Sequence, residues 1–206
     1  MNLFMKCASP LREAASFLPE GFYFDTCREN ELDLWMAFPF NTPELAAQYR
    51  GMMESVYHTV YEPQKQEFFR RCLFVRNSEG RPVATGFVWH SYGKINTLQW
   101  IKTLPEYEGL GIGRALLSRL LLDLPNDAYP VYLHTHPESC RALKLYTDFG
   151  FDLITDPVIG FRSNDLEQCR AYLQANMLPE AYRNLRYTTA DAALLNAAAS
   201  TEAEDF

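Results

Sequence analysis

The spacing of apolar positions changes several times along the chain, and each change marks an element. After the turn signal Leu18-Pro19-Glu20-Gly21, residues 21–27 are rich in aromatics and read as a strand. A short helix is expected over 29–37, with Leu32, Leu34, Trp35 and Phe38 directed to a core. Asn41, Thr42, Pro43 and Glu44 combine a cap with an early proline and start a helix that runs to about Tyr61. Its apolar positions, Leu45, Tyr49, Met52, Met53, Val56 and Tyr57, recur near a helical period. The period then falls to two. Residues 72–75 and 82–90 read as strands joined by a turn at 77–80, and a second turn at 91–94 leads to a strand over 95–103. This is an antiparallel meander.

Beyond Thr103 the pattern alternates strand and helix. A glycine-rich loop leads into a leucine-rich helix over 111–124, which Pro125 stops, and a strand follows over 130–135. In such a unit the strands 95–103 and 130–135 run parallel, with a right-handed crossover. Pro137 suits the first turn of a helix over 137–148, and Gly150 ends it. Strands at 151–154 and 158–161 and a helix over 165–177 complete the pattern, and the Ala-rich, acidic end after Thr188 is expected to be mobile. The expected organisation is an N-terminal extension (1–20), a main domain (21–161) and a C-terminal helical extension with a mobile acidic tail (162–206). The fold class is mixed α/β (α+β).

Composition narrows the function. Among 206 residues, 48% are hydrophobic and 22% charged, as in a folded globular domain. No apolar run approaches the roughly 20 residues that cross a bilayer, and the first residues lack the pattern of a secretory leader. The expectation is a cytoplasmic protein with no membrane partner. The net charge of −7 and the lack of any Lys/Arg cluster argue against a nucleic-acid partner. Five cysteines, odd in number and without CxxC spacing, argue against a disulfide framework or a structural zinc site. The abundant aromatics are expected mostly in the core, with Trp35, Tyr57, Trp89 and Trp100 the alternatives for lining an acceptor pocket or a homodimer face.

Two segments carry chemistry. In the first, Gly109, Gly111 and Gly113 stand between a strand and a helix. Such a turn offers backbone N–H groups and a helix dipole to an anion, typically a phosphate; a purely structural turn is the alternative reading. The spacing is neither that of a dinucleotide fingerprint nor that of a P-loop. In the second segment, Ser139, Ala142 or Leu143, and Tyr146 share one helix face.

Together these segments resemble the GNAT superfamily of N-acetyltransferases. One family motif aligns as Pro105 followed by 108–113, and the other as 139–151 with Ala142, Leu145, Tyr146, Gly150 and Phe151 in place. The strand, two helices and three strands upstream match the family's element order, so the resemblance covers about 21–161. It is similar to a bacterial group of unassigned substrate. The resemblance implies a mostly antiparallel sheet whose central parallel pair splays at an acetyl-coenzyme A site. It implies that backbone groups of Ile101, Lys102 and Thr103 pair with the pantetheine arm. The loop Glu108, Gly109, Gly111, Ile112, Gly113 and Arg114 would hold the pyrophosphate, with Ser139 nearby. Tyr146 takes the family's acid position beside the coenzyme.

This chain departs from the family pattern at two positions. Glu108 replaces the usual Arg or Gln, placing a carboxylate where a diphosphate is expected, with Arg114 positioned to offset it. Ser139 replaces the usual Asn. The acceptor is an amine, of a small molecule, peptide or protein, and it must be neutral to attack. His134 and His136 rank first as its base because they end the strand beside the expected thioester; His90, Glu54 and Glu106 follow. No metal is expected, since the histidine pair lacks a third ligand. A route through Cys140 lacks a base and orienter. The expected activity is direct acetyl transfer from acetyl-coenzyme A to an amine. The alternative is a non-catalytic acyl-coenzyme A-binding or interaction module.

Overall fold

A computed structural model describes residues 1–200 of the chain. Its centre is an eight-stranded sheet built from β1 (Leu3–Cys7), β2 (Phe22–Thr26), β3 (Leu73–Asn77), β4 (Pro82–Ser91), β5 (Ile95–Thr103), β6 (Val131–Thr135), β7 (Phe151–Ile154) and β10 (Tyr187–Thr188). The spatial order is β10-β7-β1-β6-β5-β4-β3-β2, with β8 (Val158–Ile159) and β9 (Arg162–Ser163) as a separate ribbon. Pairing is antiparallel except for β5 with β6 and β10 with β7. The 95–103 strand and its parallel partner thus lie where the sequence pattern placed them.

The N-terminal segment departs from expectation. Residues 1–20 were expected to be an extension, yet β1 sits between β6 and β7 and pairs with both. Its alternation explains the position. Leu3 and Met5 enter the aliphatic core on one face of the sheet, and Phe4 enters a second cluster on the other. Four of its five residues are buried, and Leu3, Phe4 and Met5 fill both faces, so the strand carries no amphipathic signal.

The helices are α1 (Leu32–Ala37), α2 (Pro43–Val56), α3 (Lys65–Arg71), α4 (Ile112–Leu122), α5 (Cys140–Asp148), α6 (Leu166–Asn176), α7 (Pro179–Arg183) and α8 (Ala192–Ala198). Helix α2 starts as its sequence predicts, with Pro43 in its first turn and the Thr42 hydroxyl accepting from the Leu45 N–H. It continues as a π-helical turn over Tyr57–Tyr61. The expected apolar stripe is only half used: Met53 and Tyr57 are buried, whereas Leu45, Tyr49 and Met52 are exposed. Leu34 is exposed too, while its neighbour Trp35 is fully buried. Helix α5 starts at Cys140, later than expected, and Pro137 lies in the turn before it.

Two unlike cores cover the sheet. Helices α4, α5 and α6 bring Leu116, Leu117, Leu143 and Leu173 onto an aliphatic face with Val75, Val88 and Leu133. The opposite face under α1–α3 is aromatic: Trp35 packs edge-on against Phe68 and Tyr61, beside Phe74, Phe87 and Trp89. Removing a side chain such as Trp35 costs roughly 3–5 kcal/mol. The region after Thr188 was expected to be mobile, but α8 buries Leu194 and Ala197 against Phe4 and Tyr132. Asp191 caps it by accepting from the Leu194 N–H. The last acidic residues, Glu202, Glu204 and Asp205, lie outside the described residues.

Candidate functional site

Strands β5 and β6 run parallel but pair only at Asn96 with Val131 and at Thr97 with Tyr132. Beyond those pairs they part. The divergence accompanies a bulge on the other flank of β5. The β4–β5 register shifts between Thr85 and Phe87, and Trp100 takes φ +52°. That backbone region is costly for a side-chain-bearing residue and persists only where its surroundings hold it. Here the Trp100 indole N–H donates to the Tyr61 hydroxyl at 2.7 Å, and that hydroxyl donates to Gln99 Oε1. Gly86 faces the bulge, and a Cβ there would lie 2.3 Å from Ile101 Cδ1.

A cleft of about 730 Å³ opens where the strands part. Ile101, Lys102 and Thr103 line it from β5, and Gly109, Gly111 and Gly113 from the loop into α4. The far wall is the start of α5, including Ser139 and Arg141, and α6 adds Tyr172 and Asn176. Gly109 and Gly111 have φ near +82°, and a Cβ at either would meet nothing within 4 Å. The glycines are needed for the backbone path, and the space before them is open. Gly111 stands at the N-cap without any side chain bonding the first N–H groups of α4. Those donors and the helix dipole favour an anion.

The charge arrangement differs from expectation. Arg114 turns away from the loop, pairing with Asp148 at 2.6 Å and donating to the Ala14 carbonyl. Glu108 is instead answered from α5, where Arg141 reaches its carboxylate at 2.7 Å. The Arg141 side chain is 87% exposed, so it is free to swing. The Lys102 ammonium donates to Asn41 Oδ1 at 2.6 Å, and burial holds its pKa below the usual lysine range.

Not every expected residue lines the cleft. Ile112 is buried in the aliphatic core. Tyr146 is 6% exposed, packs against Phe151 and sits one helical turn behind Ala142 of the cleft wall. Its hydroxyl makes no hydrogen bond among the described residues, yet is not fully enclosed. Burial raises its pKa well above that of an ordinary phenol, so it stays protonated at neutral pH. Cys140 lines the cleft, but its thiol donates to the Pro137 carbonyl and burial raises its pKa. A thiol so held is a poor nucleophile.

The candidate bases lie elsewhere. His134 and His136 stack edge-on, 4.9 Å apart, outside the cleft lining. The His134 ring is bonded through Nε2 to Asn2 Oδ1 at 3.0 Å, and His136 Nδ1 to the Met1 carbonyl at 2.9 Å. Burial, then the charges of Arg162, His136 and the N-terminus, depress the His134 pKa to about 3. Such an imidazole is neutral and weakly basic. His90 faces Asn96, Glu54 pairs with Arg50, and Glu106 pairs with Arg81, none of them on the cleft. Trp35, Tyr57 and Trp89 are buried in the aromatic core rather than lining a pocket or a face. Among the described residues no group of three or more His, Cys, Asp or Glu side chains gathers around a common point.

Sequence reasoning passed over Arg141, Lys144, Tyr172 and Asn176. Arg141 and Lys144 follow at helical spacing on α5 and were within reach of a pattern search. Tyr172 and Asn176 join the cleft only through the packing of α6, which no local signal reveals.

The sequence model of the acetyltransferase (GNAT) family matches residues 38–151, more than half of the chain. Similar solved structures include a GCN5-related N-acetyltransferase of Sphaerobacter thermophilus: 17% identity, TM-score 0.43, covering 65% of this chain and 42% of that one. A Novosphingobium aromaticivorans protein assigned to the GNAT family is 20% identical, TM-score 0.45, over 73% and 58% of the two chains. A GCN5-related N-acetyltransferase-like protein of Streptococcus suis is 16% identical, TM-score 0.46, over 74% and 59%. The chain thus spans about half the length of the structures it matches. No curated protein matches it. No helix among the described residues is long and apolar enough to cross a membrane.

Proposed function

The chain belongs to the GNAT acetyltransferase family, and from that premise we propose that it transfers an acetyl group from acetyl-coenzyme A directly to an amine. The observation that carries the reading is the opening between β5 and β6, with a helix N-terminus that no side chain caps and a glycine loop at its mouth. The residues fit the coenzyme. Gly109 and Gly111 leave open space for a diphosphate, and the backbone of 101–103, at the parted edge of β5, offers strand-like pairing to an extended arm.

Acetyl-coenzyme A supplies an activated thioester. In this reading the first N–H groups of α4 bind the diphosphate, and Arg141 neutralises Glu108 beside it. The bulge at Trp100 keeps β5 apart from β6, so that the arm lies between them. Tyr146, in the family's acid position and protonated at neutral pH, lies one helical turn behind the cleft wall and would protonate the departing sulfur once its hydroxyl reaches the cleft. The incoming amine loses its proton to water rather than to His134 or His136, which face Asn2 and Met1.

One observation favours a second reading, a coenzyme-binding module that transfers nothing. The acidic groups on the cleft include Glu108, which is engaged by Arg141, and Glu138, and the histidine pair stands outside. The test is release of free coenzyme A thiol from acetyl-coenzyme A, measured against a panel of small amines, polyamines, amino acids and peptides. Amine-dependent release that falls in Tyr146→Phe supports transfer. Saturable binding with no release for any amine supports the module.

A further inference from the structure

Helix α6 lies beyond the matched family region, yet two of its side chains line the cleft. Tyr172 and Asn176 stand one turn apart on its outer face, while Leu166, Cys169 and Leu173 bury the inner face in the aliphatic core. The start of α6 is tied to the N-terminus: the Asp165 N–H donates to the Asn2 carbonyl at 2.8 Å, and the Asn2 N–H to Asp165 Oδ2 at 2.7 Å. The helix is therefore a firm platform. At its C-terminal end the Asn176 amide donates to the Tyr172 carbonyl at 2.8 Å. The Tyr172 side chain has no ring, cation or hydrogen-bond partner among the described residues, and the residue is 37% exposed. It is an aromatic surface turned to the cleft with nothing of its own chain upon it.

Its neighbours on the same wall are Arg141, which answers Glu108, and Lys144, which pairs with Asp148 at 2.8 Å and is half exposed. A planar aromatic ring, two cations and an amide are the chemistry that recognises a nucleobase and its phosphates. We infer that Tyr172 of α6 is the stacking surface for the adenine of the coenzyme, so that the C-terminal helix completes the nucleotide end of the site. The inference rests on the acetyl-coenzyme A reading above. With the arm along 101–103 and the diphosphate at the start of α4, the wall that remains for the nucleoside is the one Arg141, Lys144 and Tyr172 form. The consequence is selectivity: acyl donors that carry the adenine nucleotide bind better than those that end at pantetheine.

The experiment is calorimetric titration of coenzyme A into the full chain as wild type, Tyr172→Ala and Tyr172→Phe, alongside fluorescence titration with 1,N6-etheno-coenzyme A. Tyr172 is half exposed, and unchanged melting temperatures check that the variants fold. The expected result is binding weakened on the order of 10-fold in Tyr172→Ala, close to wild type in Tyr172→Phe, with the stacking-dependent change in etheno emission lost in the alanine variant alone. Equal affinity in Tyr172→Ala overturns the inference and leaves the coenzyme reading standing. Weaker binding with an unaltered etheno response overturns it as well, because the ring then touches another part of the coenzyme. A wild type that binds no coenzyme A at all removes the underlying reading and this one with it.

Discussion

Two features flank the mouth of the same parallel strand pair, and they differ in kind. On one side the glycine loop and the start of α4 face the cleft with unfilled donors. On the other the His134–His136 pair, at the end of β6, faces the N-terminal segment and is bonded to Asn2 and Met1. Both looked functional in the sequence. The loop's geometry follows from its own backbone: glycines with positive φ before a helix leave the first N–H groups open to an anion. The histidines' surroundings come from the N-terminal segment just before β1, more than 130 residues away in sequence. The backbone geometry of the loop can be read locally; the partners of a side chain cannot.

The sharpest way to break the comparison is at Gly111. Gly111→Glu puts a side chain on a residue with φ +83° and a carboxylate into the anion space, and coenzyme A affinity is expected to fall more than about 100-fold, or about 2.7 kcal/mol. Calorimetry checks it. If affinity survives, the loop is a structural turn.

Next in size is Tyr146→Phe. Loss of a general acid lowers turnover by roughly 100-fold, while coenzyme affinity stays near wild type because Tyr146 is not on the cleft lining. Steady-state kinetics with the best amine separates the two effects. Equal turnover in the variant would assign proton delivery to another group.

His134 gives a smaller effect, of a different kind. In the folded chain its pKa is depressed to about 3, against about 6.5 when unfolded. The unfolded state therefore binds the extra proton first. The stability this histidine contributes is intact above pH 6.5 and declines as the pH falls toward 3, by about 2 kcal/mol at pH 5. His134→Gln, which keeps a donor for Asn2, should lose that much less on going from pH 7 to pH 5 in urea unfolding curves. Its turnover should match wild type. Lost turnover with an unchanged pH–stability profile would return the histidine to the catalytic machinery.

The smallest expected change is at the exposed Glu108–Arg141 pair. Arg141→Ala leaves the Glu108 carboxylate unanswered beside the diphosphate, and coenzyme affinity is expected to drop roughly 3- to 5-fold, within the range of exposed ion pairs. Adding Glu108→Gln should restore most of it. A double-mutant cycle with no coupling would show that the pair plays no part in binding.

The same division governs how much of the fold the sequence carried. The meander of β3, β4 and β5, the crossover through α4 and the Thr42–Pro43 helix start were readable because turn residues, glycines and caps are local. Strand β1 was not, because its Leu3-Phe4-Met5 run is buried on both faces and carries no period. Helix α8 was missed for the opposite reason, since its alanines resemble a mobile tail until Phe4 and Tyr132 give them a surface to cover. At the site, positions 101–103 and the loop glycines, singled out in the sequence, do line the cleft. The partner of Glu108 was not readable: Arg141 meets it only through the docking of α5, while Arg114, adjacent in sequence, goes to Asp148.

The most direct measurement is amide hydrogen exchange of the full chain with and without acetyl-coenzyme A. The account predicts new protection in peptides covering 101–103 and 109–114, and no change at 134–136 beyond that of the unliganded chain. Protection centred on the histidine pair, or none at the glycine loop at saturating coenzyme, would contradict it.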